Sequence, residues 1–229
     1  MSANSCNYHS AEDFAQAYAG RAPDAYAGLL TEVIRRGKAG KILDLGAGLG
    51  LFTELAHRWG LKVAGLEGSS YAVAQARERA PGIEMLVHDL GDPLPFADAS
   101  IANIVLNQVI EHVESARFHA MLADCFRVLE DGGTVFITSP SRMNRAEQKE
   151  RTHINMLLPS ELKRSLEQAG LTLLTQPDRG LWFAPGDRAW TNRFSQWLLR
   201  ALPADWVSAT ANAVARKRNA APAHTRPAD

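Results

Sequence analysis

At 229 residues and 46% hydrophobic content, the chain is long enough to bury one full-sized core. Lys plus Arg and Asp plus Glu both number 25, so the net charge is zero and the basic excess of a general nucleic-acid binder is missing. Its two cysteines, Cys6 and Cys125, are too few and too far apart for a zinc or iron–sulfur cluster, and no metal is expected. No cationic stretch followed by an apolar block opens the chain, and no window approaches about eighteen uninterrupted apolar residues. The expectation is a soluble cytoplasmic protein.

Residues 1–10 are polar. Ala11 to Ala19 and Asp24 to Arg36 then show helical spacing, with Phe14 and Tyr18 on one apolar face and Leu29, Leu30, Val33 and Ile34 on the next. Pro23 suits a first helical turn. Ile42, Leu43 and Leu45 around Asp44 read as a parallel strand buried on both faces, because such a strand has no wet side and shows little polar alternation. Gly46, Gly48 and Gly50 follow as a loop, and Leu51 to Trp59 as a helix. Strand, glycine turn and helix start build a nucleotide-type site. The dinucleotide fingerprint is G-x-G-x-x-G, whereas here Leu51 stands at the third glycine position. Asp44 before the turn would also oppose a pyrophosphate. The turn alone leaves a dinucleotide and a phosphate-free ligand open, and Asp44 favours the second.

Lys62 to Glu67 is a second strand ending in an acid, followed by Gly68, Ser69 and Ser70 and a helix from Tyr71 to Arg79, with Ser69 or Ser70 as N-cap. A carboxylate at this strand end can accept two hydrogen bonds from a ribose diol, so Glu67 suits NAD and other adenosine cofactors alike; otherwise it is a surface glutamate. Ile83 to Asp89 is a third strand with a terminal acid, and Ile101 to Ile110 a fourth, with Asn107 and Gln108 near the end where ligands bind an open sheet. Glu114 to Leu129 is helical, with Cys125 as a core thiol on its apolar side. Asp131, Gly132 and Gly133 end that helix, and Thr134 to Thr138 is a fifth strand. A polar loop over 139–153, a helix from Pro159 to Ala169 closed by Gly170, and a sixth strand from Leu171 to Gln176 follow. Residues 180–206 hold Trp182, Trp190, Trp197 and Trp206, with an amphipathic helix over 188–199 for which core packing is the default. Trp206 to Arg216 suits a last, antiparallel strand, and 219–229 a disordered tail. The alternation of strand and helix gives a doubly wound α/β domain over 1–218.

The string KILDLGAGLG (41–50) resembles motif I of the class I S-adenosylmethionine (SAM) methyltransferases. Asp89-Leu90 matches the position where that family meets the adenine amino group, and GDPLPFADAS (91–100) resembles its "LPF" loop. Glu111-His112-Val113 matches the "EHV" of the small-molecule branch that includes ubiquinone-type and sterol-type enzymes, and RVLEDGGTVFITSP (127–140) its helix-to-strand turn. Asn107-Gln108-Val109-Ile110 is not the Asn/Asp-Pro-Pro-Tyr/Phe of nucleic-acid amino-methyltransferases, so a base amine is not the expected acceptor.

The resemblance, covering about Pro23 to Arg216, implies a seven-stranded, mostly parallel sheet with its last strand antiparallel. It implies SAM as cofactor, S-adenosylhomocysteine as product and a small-molecule acceptor, with no nucleic acid and no membrane span, in a monomer or homodimer. Gly46, Ala47 and Gly48 would bring backbone against the methionine moiety, and Asp44 would organise the loop and face the cationic side. Glu67, with Gly68 beside it, would hold the ribose, and Asp89 with Leu90 the adenine; Asn107 and Gln108 would line the pocket. Arg21 would reach the ligand's carboxylate, or be an exposed arginine in a turn. His112 and His153 are the candidate bases if the acceptor is a hydroxyl, the leading expectation over nitrogen or carbon; His112 could instead brace the next helix. Arg142, Asn144 and His153 are candidates for acceptor contact, and a helical insert rich in tryptophan suggests an aromatic or apolar acceptor. A NAD-linked oxidoreductase would leave Asp44 and Asp89 unexplained and lacks a Tyr-x-x-x-Lys relay. A catalytically silent SAM-fold binding protein would not need acids at all three strand ends.

Overall fold

The computed structural model describes residues 18, 20–175, 205 and 208–219. The helix expected over 11–19, the tryptophan-rich helix and the tail fall outside them. A seven-stranded sheet of order β3-β2-β1-β4-β5-β7-β6 runs through the molecule, with β7 (Ala213–Lys217) antiparallel to both β5 (Leu129–Thr138) and β6 (Leu171–Leu173). The remaining strands, β1 (Ile42–Leu45), β2 (Val63–Glu67), β3 (Glu84–Val87) and β4 (Ile101–Asn107), pair in parallel. Because β1 lies between β2 and β4, the chain reverses direction across the sheet there, and ligands of open α/β sheets sit outside that switch point.

Helices cover both faces, as the unalternating strands require. Alternate residues of each central strand enter different cores: Leu43, Leu45, Ile104, Leu106, Val135 and Ile137 pack with α4 (Ser115–Val128) and α5 (Pro159–Gln168). Ile42, Val105 and Phe136 instead meet α1 (Ala27–Arg36) and α2 (Leu51–Arg58) through Leu30, Val33, Phe52 and Leu55. Cys125 lies in the first of these cores, where burial pushes its thiol up to about 12. Period 2 therefore puts Asp44, between Leu43 and Leu45, on the face covered by α2.

Several boundaries differ from the sequence-based expectation: β6 stops at Leu173, short of Gln176, and β7 starts at Ala213, past Trp206. The helix expected from Asp24 begins as a single 3-10 turn, Pro23–Tyr26, before α1. The fourth strand stops at Asn107, because Gln108 adopts φ +57° and residues Ile110–His112 form a 3-10 turn. The helix α4 ends at Val128, and β5 starts at Leu129 without waiting for the glycines. Between the pairs Ile101–Leu129 and Asn103–Thr134 the register shifts, so the Glu130–Gly133 segment bulges, with Gly132 at φ +74°.

Candidate active site at the strand ends

The bend after β1 is built from residues that tolerate left-handed backbone: Gly46, Gly48 and Gly50 have φ of +67°, +55° and +68°. Space excludes side chains as well. A Cβ on Gly46 would lie 2.7 Å from Val109 Cγ2, and one on Gly48 would strike the Tyr18 hydroxyl. The N–H groups of Gly46 and Ala47 both donate to the Leu66 carbonyl, at 2.9 and 3.0 Å, which fastens the bend to the end of β2.

Glu67, the last residue of β2, is 5% exposed and bridges two loops: Oε2 accepts from Gly48 N–H and Oε1 from Ser69 N–H, both at 2.9 Å. Ser69 also caps α3 (Ser70–Arg79), accepting from Ala72 N–H, which settles the N-cap and leaves Gly68 in the turn that Glu67 closes. Asp44 is 3% exposed and accepts from the Thr53 hydroxyl of α2 at 2.7 Å. Burial pushes its carboxyl up to about 7, against the Thr53 hydrogen bonds and with the Glu67 charge adding to the rise. Its neighbour in register, Gly65, explains how Thr53 gets there: a Cβ at that position would come within 2.8 Å of Thr53 Oγ1.

Asp89 lies two residues beyond β3, which ends at Val87 and not at the acid, and its Oδ1 accepts from Gly91 N–H at 2.8 Å. Leu90 packs against the core. Since β3, β2 and β1 are adjacent and parallel, Asp89, Glu67 and Asp44 all sit at one edge of the sheet. At the end of β4, the Asn107 side-chain oxygen Oδ1 accepts from the Thr138 hydroxyl, while Gln108 is exposed and its main-chain N–H donates to the Thr138 carbonyl at 2.8 Å.

Tyr18, which sequence periodicity assigns only to an apolar helical face, rests on Gly48; burial first, then Tyr26 and the Glu67 and Asp44 charges, push its phenol up. Arg21 is exposed, with its guanidinium 5.4 Å from the centre of the Tyr18 ring, one side chain away from the bend.

A second group of residues collects beyond β4. Glu111 is fully buried, accepts from the Ser139 hydroxyl at 3.0 Å, and is pushed up to about 7 by burial. The His112 and His153 rings are 4.9 Å apart, and burial lowers His112 to about 4. Main-chain bonds from Ile154 and Asn155 to the Glu111 carbonyl, at 2.9 and 3.0 Å, carry His153 to this corner across 41 residues of sequence. The sequence marks Glu111 only as part of "EHV"; a carboxylate among Val109, Ile110 and Val113 was the available sign of a buried acid. Of the expected acceptor contacts, Arg142 ties its loop to α5 through Glu161 at 2.6 Å and also donates to the Met156 carbonyl at 3.1 Å, while Asn144 braces its own loop by accepting from Ala146 N–H at 3.2 Å.

Residues 43–137 match a family model described as a methyltransferase domain. A probable SAM-dependent methyltransferase of Mycolicibacterium smegmatis is 33% identical over 134 residues, 56% of this chain and 51% of the relative. The chain is similar also to a ubiquinone biosynthesis O-methyltransferase of Maricaulis maris, 28% identical over 153 residues, 58% of this chain and 59% of that one. A crystal structure of a SAM-dependent methyltransferase from Archaeoglobus fulgidus superposes with a TM-score of 0.67 at 17% identity, covering 89% of this chain and 98% of that one. The chain carries a methyltransferase domain and has the fold of the SAM-dependent methyltransferases. It spans about half the length of the curated relatives it matches first. The matched methyltransferase segment runs from β1 to β5, so it takes in all three strand-end acids, Glu111 and His112, and leaves His153 outside. Among the described residues no helix is long and apolar enough to cross a membrane.

Proposed function

We propose that this protein is a SAM-dependent methyltransferase that moves the sulfonium methyl to a hydroxyl oxygen of a small-molecule acceptor by in-line displacement. The observation that carries the reading is the Glu67 bridge between the glycine bend and the α3 cap, beside Asp44 and Asp89 on adjacent strand ends. In this reading the bare backbone of Gly46, Ala47 and Gly48 receives the methionine moiety, Glu67 and Gly68 the ribose, and Asp89 and Leu90 the adenine. Arg21 takes the carboxylate, and Asn107 and Gln108 border the pocket from β4. An acceptor-only carboxylate suits both the ribose hydroxyls and the adenine amine, which are donors.

As the acceptor oxygen forms its bond to the methyl carbon, the carbon–sulfur bond breaks and leaves neutral S-adenosylhomocysteine. Charge is consumed in the step, so alignment and exclusion of water do most of the protein's work. The hydroxyl proton leaves at the corner of Glu111, His112 and His153. Likeness to ubiquinone biosynthesis O-methyltransferases supports oxygen over nitrogen or carbon. The test is transfer of labelled methyl from SAM to a panel of phenols, catechols, alcohols and amines. Label is expected in the hydroxylated compounds; label only in amines, or in nothing while SAM still binds, would refute the assignment.

A further inference from the structure

From the side chains gathered beyond β4, we infer that Glu111, His112 and His153 form a binding site for a divalent first-row transition ion. One ligating atom from each lies within 4.8 Å of the others. Ligands held about 2.1 Å from one ion at tetrahedral angles are about 3.4 Å apart, so side-chain shifts of about an ångström close the shell. Three independent features prepare the group for a cation. Glu111 is fully buried, and its Oε1 has no hydrogen-bond partner among the described residues, an expensive arrangement for a carboxylate unless something positive meets it. Its other oxygen is held by the Ser139 hydroxyl, which fixes the carboxylate's orientation. Both imidazoles face a backbone carbonyl through Nδ1, His112 toward Thr152 at 3.1 Å and His153 toward Glu147 at 3.0 Å. That contact selects the tautomer with its lone pair on Nε2 and is the usual outer-shell support of a metal-bound histidine.

Two imidazoles with one carboxylate suit zinc, cobalt, manganese or iron better than magnesium or calcium, which take oxygen ligands. Three protein ligands leave coordination positions open, and His153 lines a depression together with Arg142, Gln148, Ile154, Asn155 and Met156. On the reading in the preceding subsection, the acceptor hydroxyl would bind there. The imidazoles would then serve as ligands, and the hydroxyl proton would pass to water in the depression; binding of the ion itself does not depend on that reading.

The test is titration of tag-free, chelator-stripped protein with zinc chloride by calorimetry and with cobalt chloride by visible absorption. One equivalent is expected to bind, with the ligand-field bands of a low-symmetry cobalt site. Glu111→Gln and His153→Gln should abolish it while the circular dichroism spectrum stays unchanged, and Ser139→Ala should weaken it about tenfold. Absence of stoichiometric binding up to about millimolar ion, or unchanged affinity in either ligand variant, overturns the site. Neither readout involves methyl transfer, so failure here and failure of the methyltransferase assignment are distinguishable.

Discussion

Replacing Asp44 by Asn should stabilise the unliganded protein at neutral and alkaline pH while weakening SAM binding. Burial lifts the carboxyl from its ordinary 3.8 to about 7, so the folded chain retains a proton that the unfolded chain has released. Stability falls as pH rises between those two values and stays at the lower level above the second. The rise corresponds to about 4 kcal/mol. Asn keeps the shape and can still accept from the Thr53 hydroxyl, but it brings an amide N–H that needs a partner, costing about 1–2 kcal/mol. The net expectation is a gain of about 2 kcal/mol at pH 8, or about 4–8 °C in Tm for a chain of this size. The gain should shrink as pH falls below 7, reach zero near pH 5, and become a loss of about 1–2 kcal/mol near pH 4, where the parent carboxyl is neutral in both states and only the cost of the amide remains. Thermal and urea melts of parent and variant across that range give the difference directly. A loss of stability at pH 8, or a difference independent of pH, would refute the claim that Asp44 is a buried charge tolerated for the ligand's sake.

Gly65→Ala should cost about 1–3 kcal/mol in a urea melt, because its methyl would press on Met85 and on Thr53, the residue that holds Asp44; an unchanged midpoint contradicts this packing. Glu67→Gln turns one of two acceptors, each 2.9 Å from a loop N–H, into a donor, and should weaken SAM by about 10–100-fold in calorimetry; wild-type affinity would count against the bridge. Asn103→Ala removes the buried side chain that accepts from Lys38 N–H at 2.9 Å and donates to its carbonyl at 2.6 Å. It should lower stability by about 1–3 kcal/mol with no effect on SAM affinity, since it sits at the opposite end of β4 from the bend; a parallel loss of affinity would show coupling this structure gives no reason for.

Hydrophobic runs placed the central strands well because a strand covered on both faces has one composition throughout, and a carboxylate inside such a run or at its end stands out against it. Glu67 and Asp44 were legible for this reason. Boundaries set by a single backbone angle were not: nothing in the side chain of Gln108 announces φ +57°, and the bulge over Glu130–Gly133 depends on register against β4. Long-range company was also hidden. Thr53 looks like any helical threonine until β2 brings Gly65 beside Asp44, and His153 lies in a polar loop until main-chain bonds to Glu111 carry it to His112. Tyr18 satisfied an apolar periodicity and rests on the glycine bend, a contact across some 30 residues of sequence that periodicity does not register.

The most direct measurement is a calorimetric titration of the purified protein with SAM. If acids from three neighbouring strands and the glycine bend hold this ligand, one molecule binds per chain with micromolar affinity. An absence of heat at about millimolar ligand, with the protein folded, would contradict the account.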